Sequence, residues 1–342
     1  MNTRNNNFAL LHYVAASMVI LGHMFAFCGS VPPVILNVST HETGLHILFI
    51  ISGFLVARSF SRNPNVPKFW AKRLLRLYPA LCVCVVVCAI GGFLLSGLTW
   101  AEYFPGAKVY IKNNLLMRPV FYLPGVFAEN PYSNAVNGSL WSLPVELAWF
   151  LIIPVFLMPV HKTKHKAIFC ALAAGLVSLL AVFVSTHYAG KQLIFWATDW
   201  IHAIRLGAYF LWGSAYSLLE SDQLKKLCRS DVAVLLLAIA LSLGSYYPPA
   251  LNYFLLPYVI ISFAFAGDGL FRDFLNRHDY VYGMYLWAFP VQQTIISLFR
   301  GGDLPSVWIL FTVSYGITLL LAMLTHKFVE EPVRKVAARC GL

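Results

Sequence analysis

Long apolar runs dominate this sequence and leave few folds open to it. Segments of roughly 17 to 25 mainly apolar residues, the length a helix needs to cross the hydrocarbon core of a bilayer, recur along the chain. We place ten, at about 8–28, 42–60, 78–97, 141–160, 167–186, 200–219, 231–247, 251–266, 280–299 and 307–325. With 59% hydrophobic and only 11% charged residues, the chain lacks the charge to cover a soluble surface. Backbone polar groups in lipid must be satisfied within their own segment, so the runs read as helices. The predicted fold class is all-α integral membrane: a bundle of about ten transmembrane helices.

The net charge of +11 raises the question of a nucleic-acid partner, but its placement answers it differently. If the N-terminus is cytoplasmic and ten spans alternate, nineteen of the 25 Lys and Arg residues fall in inner segments and five in outer ones. Arg205 alone remains inside a span. By the positive-inside rule this predicts both termini in the cytoplasm, and the basic balance is topological, with no nucleic acid implied. The first run carries His12 and His23 and ends in Phe25-Ala26-Phe27-Cys28, unlike a cleaved signal. The Cys82-x-Cys84-x3-Cys88 cluster has helical spacing in an apolar setting, which fits packing, and no metal is predicted.

The sequence reads as a single transmembrane domain over 1–342, without an appended soluble domain, a low-complexity linker or an obvious internal repeat. Two connections are long. Segment 61–77 alternates aromatic and Leu residues with basic ones, predicting an amphipathic stretch along the membrane surface. Segment 98–140 is rich in Pro, Tyr, Asn and Gly and cannot span.

Ionisable groups at membrane depth are costly and therefore mark candidate sites. His23, His46, Glu146 and Arg205 each lie four or five residues from the outer end of a predicted span, which predicts a shared layer roughly 6–8 Å below that boundary. Glu146 requires a partner, Arg205 or a protonated His; a purely structural Glu–Arg pair is the alternative. Ser142 precedes Glu146 by one turn, placed to orient the carboxylate or to satisfy a backbone carbonyl. His12 and His23 share one helix face, roughly 16 Å apart along the axis. Arg73-x-x-Arg76, with Lys72 beside it, offers paired guanidinium groups suited to phosphates, whether those of a coenzyme A head or of anionic lipid headgroups.

Taken in order, five stretches resemble the integral-membrane acyltransferase-three family, whose members O-acylate surface polysaccharides and related glycans. They are Gly44-Leu45-His46-Ile47-Leu48-Phe49-Ile50-Ile51-Ser52-Gly53-Phe54-Leu55, Phe69-x3-Arg73-x-x-Arg76-Leu77-Tyr78-Pro79, Leu140-Trp141-Ser142-Leu143-Pro144-Val145-Glu146, Tyr282-Gly283-Met284-Tyr285-Leu286-Trp287 and Val329-Glu330-Glu331-Pro332. The resemblance covers essentially the full length. The family's first-span signature is Arg, ten residues, then His; here His12 occupies the Arg position and His23 the other. Ala288 stands where many relatives carry His.

The resemblance implies an O-acyltransferase of the bacterial inner membrane. It implies acetyl-coenzyme A as cytoplasmic donor, bound by Lys72, Arg73 and Arg76, and a saccharide or lipid-linked glycan as acceptor on the outer side. His23 is then the base or acyl carrier and Glu146 its orienting carboxylate, with His12, His46, Ser52, Ser142 and Arg205 in support. Two other classes stay open on residues alone. A transporter or flippase accommodates intramembrane charge, though no inverted repeat supports it. A membrane sensor or scaffold leaves Glu146 and the arginine pair unused.

Overall fold

The computed structural model describes residues 6–266, 279–299 and 302–342. Four of the basic residues in the charge count, Arg4, Arg272, Arg277 and Arg300, lie outside them. Helix α1 (Phe8–Phe27) leads through a hairpin, β1 (Val34–Ile35) and β2 (Val38–Ser39), into α2 (Thr40–Arg62). Next come α3 (Val66–Ser96), α4 (Trp100–Leu115), a 3-10 turn (Gly138–Ser142), α5 (Leu143–Leu157) and α6 (Lys166–His187). A second hairpin, β3 (Ile194–Phe195) and β4 (Thr198–Asp199), precedes α7 (Trp200–Ser217), α8 (Ser221–Leu227), α9 (Ser230–Ser242) and α10 (Asn252–Ala264). Beyond the undescribed stretch lie α11 (Val281–Ser297), α12 (Val307–Thr325), a π-helical turn (His326–Glu330) and α13 (Glu331–Arg339).

This corrects the expectation of ten spans. Among the described residues, six helical segments are long and apolar enough to cross a membrane: Phe8–Phe27, Thr40–Arg62, Val66–Ser96, Gly138–Val160, Lys166–His187 and Val307–Arg339. The other four apolar runs do fold as helices, but turn geometry shortens three of them. The 231–247 run breaks into a 3-10 turn at Gly244–Tyr246, leaving 13 helical residues in α9, and α10 also has 13. At ~1.5 Å per residue each reaches ~20 Å, short of a ~30 Å core. Helix α11 has 17 residues, and α7 dilutes its apolar run with His202 and Arg205. The assignment of both termini to the cytoplasm rested on ten alternating spans and falls with that count.

The surface stretch expected at 61–77 is likewise different. Asn65 accepts from the Lys68 amide at 3.0 Å and Pro67 occupies the first turn, so the helix starts at Val66 and runs unbroken to Ser96. Arg73 and Arg76 therefore project from the first third of a helix ~46 Å long. The 98–140 connection also contains a helix, because Glu102 accepts from both the amide (2.9 Å) and the hydroxyl (2.7 Å) of Thr99 and so caps α4.

The rest of that connection re-enters the bundle. Asn130, Asn137, Ser139 and Ser142 are all buried. Irregular backbone at membrane depth needs protein partners, and α11 supplies them. Asn130 donates to the Gln293 side-chain and backbone oxygens, both at 2.9 Å, and the Gln293 amide donates to the carbonyls of Tyr132 (2.7 Å) and Ala135 (2.9 Å). Helix α5 thus starts within the bundle, with Glu146 in its first turn, where the helix dipole favours an anion.

A repeat invisible in the sequence organises the centre. Helix–hairpin–helix units α1-β1-β2-α2 and α6-β3-β4-α7 share their element boundaries at an offset of 160 residues: Phe27 and His187 end their helices, Val34 and Ile194 open the hairpins, and Thr40 and Trp200 begin the second helices. The hairpin turns match too, with positive φ at Leu36 and Asn37 and at Trp196 and Ala197. Helices α2 and α7 meet through Gly53 and Gly213, again 160 apart. A methyl group on Gly53 would overlap the Phe210 carbonyl, and one on Gly213 the Ile50 carbonyl. This reciprocity puts an approximate twofold axis between the two helices.

Candidate active site

The arginine pair forms one wall of a narrow pocket. On α3, Arg73 is held between two aromatic faces, its guanidinium carbon 5.1 Å from the Phe69 ring centre and 5.7 Å from that of Phe150. Its Nε is buried without a hydrogen-bond partner. Arg76, one turn on, donates to the Asp279 carboxylate at 3.0 Å, the two side chains being 47% and 46% exposed. Burial works against the Asp279 carboxylate, but Arg76, His12 and the Val281 amide hold its pKa below the ordinary carboxylate range.

Glu146 projects into the same pocket from α5. It accepts from the Ser52 hydroxyl at 3.3 Å and lies within electrostatic reach of both arginines. Ser142 does not touch the carboxylate. The Tyr285 hydroxyl donates to the Ser139 carbonyl at 2.7 Å and so accepts from Ser142 at 2.6 Å, fixing the re-entrant turn to α11. His12, Tyr282 and Tyr285 complete the polar lining, and Leu45, Phe49 and Val281 the apolar one. The open volume is about 90 Å³, a few water molecules' worth.

The predicted shared layer of His23, His46, Glu146 and Arg205 is resolved by the structure into three places. Glu146 meets Ser52, which lies six residues, or ~9 Å, further along α2 than His46. The reason is the re-entrant connection: α5 begins deeper than an apolar run drawn from Trp141 implies. His46 is buried and stacks on Tyr209 with ring centres 4.2 Å apart, where the Arg205 charge also acts. His23 packs against Phe27 (5.7 Å), Phe289 (5.6 Å) and His41 (5.3 Å), with its Nδ1 buried and unpartnered. Lys72 is exposed, and neither it nor His23, His46 or Arg205 lines the pocket.

His12 lines the pocket while His23 lies three turns away on the same helix, so one face of α1 joins the two locations. Sequence reasoning missed Asp279 and His41, which lack a motif of their own. Tyr282 and Tyr285 stood within a motif but carried no assigned role. Their hydroxyls anchor backbone, Tyr282 donating to the Leu77 carbonyl at 2.9 Å. The Val329-Glu330 stretch forms the π-helical turn, where Glu330 lies 3.4 Å from His326 and Arg334 meets the other ring nitrogen at 2.9 Å. Among the described residues no group of three or more His, Cys, Asp or Glu side chains is arranged to hold a metal ion.

Comparison with known proteins identifies relatives by sequence. The chain is 29% identical over 344 residues to an O-acetyl transferase of Shigella phage Sf6, covering 96% of each chain. It is 28% identical over 356 residues to nodulation protein 10 of Rhizobium leguminosarum bv. viciae, covering 97% of this chain and 94% of that one. A third relative, the O-acetyltransferase OatA of Staphylococcus aureus, is 24% identical over 85% of this chain and 52% of its own length. No solved structure matches. The profile of the acyltransferase-3 family, described as an acyltransferase domain, matches residues 5–327. A multi-pass helical bundle with an arginine–glutamate pocket, matched over nearly its whole length by that profile, belongs to the acyltransferase-3 family of integral-membrane acyltransferases.

Proposed function

We propose that the protein moves an acetyl or short acyl group from acyl-coenzyme A to a hydroxyl of a saccharide beyond the bacterial inner membrane. The names of the phage and staphylococcal relatives support acetyl as the group transferred. The observation that carries the reading is the convergence of Arg73 and Arg76 with Glu146 in one pocket, which His12 links to the His23 face of α1. Arg73, with its unpartnered Nε, and the half-exposed Arg76 fit phosphate groups of the coenzyme. Coenzyme A is a cytoplasmic donor, so this end of the bundle faces the cytoplasm.

In this reading the thioester arm follows the shared face of α1 from His12 toward His23. His23, the buried imidazole with a free nitrogen, is the general base for the acceptor hydroxyl. Glu146 works at the donor end, balancing and orienting the two guanidinium groups, since nothing in its surroundings brings it to the His23 ring. The acceptor approaches beneath the re-entrant 116–137 connection, close to Phe27 and Tyr132, whose rings pack 5.2 Å apart. Lipid-linked glycans are the acceptor class that suits an entrance inside a membrane bundle.

A second reading is favoured by one observation: His12 and Glu146 line the same pocket. There, His12 is the base and chemistry occurs beside the arginines. The experiment is acyl transfer to membrane glycan from radiolabelled acetyl-coenzyme A by His12→Ala and His23→Ala. The first reading expects His23→Ala to lose on the order of 10²–10⁴ in rate while still binding coenzyme A. Normal transfer by His23→Ala with an inert His12→Ala establishes the second.

A further inference from the structure

His23 as a buried base raises a problem that its immediate neighbours Phe27 and Phe289 do not solve. On taking a hydroxyl proton its imidazole becomes a cation packed against aromatic rings with its Nδ1 buried, which is costly without a partner for that nitrogen. The carboxylate expected to serve it, Glu146, is in the donor pocket instead.

We propose that His41 is the proton relay of His23, linking its buried Nδ1 to the exterior through Ser39 and Glu42. The proposal rests on the reading of His23 as the base. His41 stands in the first turn of α2, its ring centre 5.3 Å from that of His23 and tilted by 32°. The approach is built into the backbone: a methyl on Gly22 of α1 would lie 2.6 Å from the His41 amide nitrogen. Both rings present a buried, unpartnered Nδ1.

The hydrogen bonds around His41 fix its tautomer. The Ser39 hydroxyl donates to the Glu42 carboxylate at 3.1 Å, so towards His41 its oxygen is an acceptor. His41 Nε2, 3.4 Å from that oxygen, therefore carries the proton in the neutral ring. Its Nδ1 is then a bare acceptor on the buried side, suited to take a proton from His23 across one water. His41, Ser39 and Glu42 are all partly exposed, so the file that starts at the buried Nδ1 of His23 leads to groups that reach solvent.

The proton accounting closes. As the acceptor oxygen bonds to the acyl carbon, its proton passes to His23 Nε2, and His23 gives its Nδ1 proton to His41 Nδ1. His41 releases its Nε2 proton outward along Ser39 and Glu42. The carbon–sulfur bond breaks with its electron pair on the coenzyme A sulfur; the thiolate withdraws along α1 to the donor mouth, where water protonates it and leaves a hydroxide that balances the proton released outward.

The test uses the full-length chain in membrane vesicles of the producing strain, with radiolabelled acetyl-coenzyme A and label counted in the membrane glycan. His41→Gln is expected to lower turnover by about tenfold to a hundredfold, the lower range for loss of acid–base help, with half-saturating donor unchanged. The titratable groups acting on His41 are His23 from α1 and Glu42 in its own turn, so the pH–rate profile should lose one of its ionisations. His41→Ala should regain rate on addition of imidazole, which a merely misfolded protein does not do. Wild-type turnover and pH profile in His41→Gln overturn the relay, as does a loss in His41→Ala that imidazole leaves untouched. If His23→Ala is inert while His41→Gln is normal, the base stands and the relay falls; if His23→Ala transfers normally, both fall.

Discussion

The side-chain amide of Asn137 donates to the carbonyl of Leu286 at 2.9 Å, four residues before Pro290 in α11. Proline has no N–H, so this carbonyl loses its ordinary helical donor, and the re-entrant connection replaces it. Asn137→Ala leaves only the weak Cys84 thiol, 3.4 Å away, for a buried carbonyl. The expected cost is about 1–3 kcal/mol, read as a lower unfolding temperature of the detergent-purified protein. An unchanged transition would mean that Asn137 does not hold the connection in place.

Donor affinity should respond in opposite directions to two sets of substitutions at the pocket mouth. Losing a charge-assisted phosphate contact costs about 1.5–3 kcal/mol, roughly tenfold or more in Kd, so Arg73→Ala with Arg76→Ala should severely weaken coenzyme A binding. Asp279→Asn frees Arg76 from its ion pair. Because that pair is half exposed, the gain is at most about 1 kcal/mol, up to roughly fivefold tighter binding. Calorimetric titration with coenzyme A reads both, and weaker binding in Asp279→Asn would contradict the assignment of Arg76 to the donor.

Glu146 and Ser52 separate charge from hydrogen bonding. Glu146→Gln retains an oxygen for the Ser52 hydroxyl but removes the charge that faces the arginines. Transfer should drop at least roughly tenfold, about 1.4 kcal/mol in barrier, while Ser52→Ala loses less than that. Equal losses in the two variants would make the hydrogen bond, and not the charge, the working element.

Reciprocal contacts predict matched damage. Gly53→Ala and Gly213→Ala each push a methyl into a backbone carbonyl of the facing helix. Overpacking of this kind costs about 1–3 kcal/mol or more, and equivalent positions should suffer alike. Thermal unfolding of both variants tests it; a large loss in one alone would argue against the twofold arrangement.

The membrane class was legible because apolar runs report directly on the solvent they meet, and Arg73-x-x-Arg76 was legible because residues three apart share a helix face. Depth was not. Counting residues from the end of an apolar run assumes that a helix starts where the run does, and the 3-10 turn at Gly138–Ser142 breaks that assumption for Glu146. The spans were overcounted for the same reason, since Gly244–Tyr246 and Pro249–Leu251 are apolar enough to extend a run yet do not continue a helix. The Thr99-x-x-Glu102 capping box announced α4 and was overlooked within a Pro-rich stretch. His41 had no signal at all, because only the packing of α1 on α2 brings it to His23.

The repeated unit also sets two like-folded segments, 8–62 and 166–217, side by side with unlike side chains. At the 160-residue offset, His12, His23, His41 and His46 of the first unit correspond to Leu172, Phe183, Ile201 and Leu206 of the second, while Arg205 corresponds to Leu45. Hydrocarbon stands at all four of these histidine positions in the second copy, whose own His187 and His202 lie elsewhere. The silent copy resembles the inactive partner of an asymmetric homodimer: it preserves the contact at Gly53 and Gly213 on which the working copy is braced, and its own interior is released from chemistry.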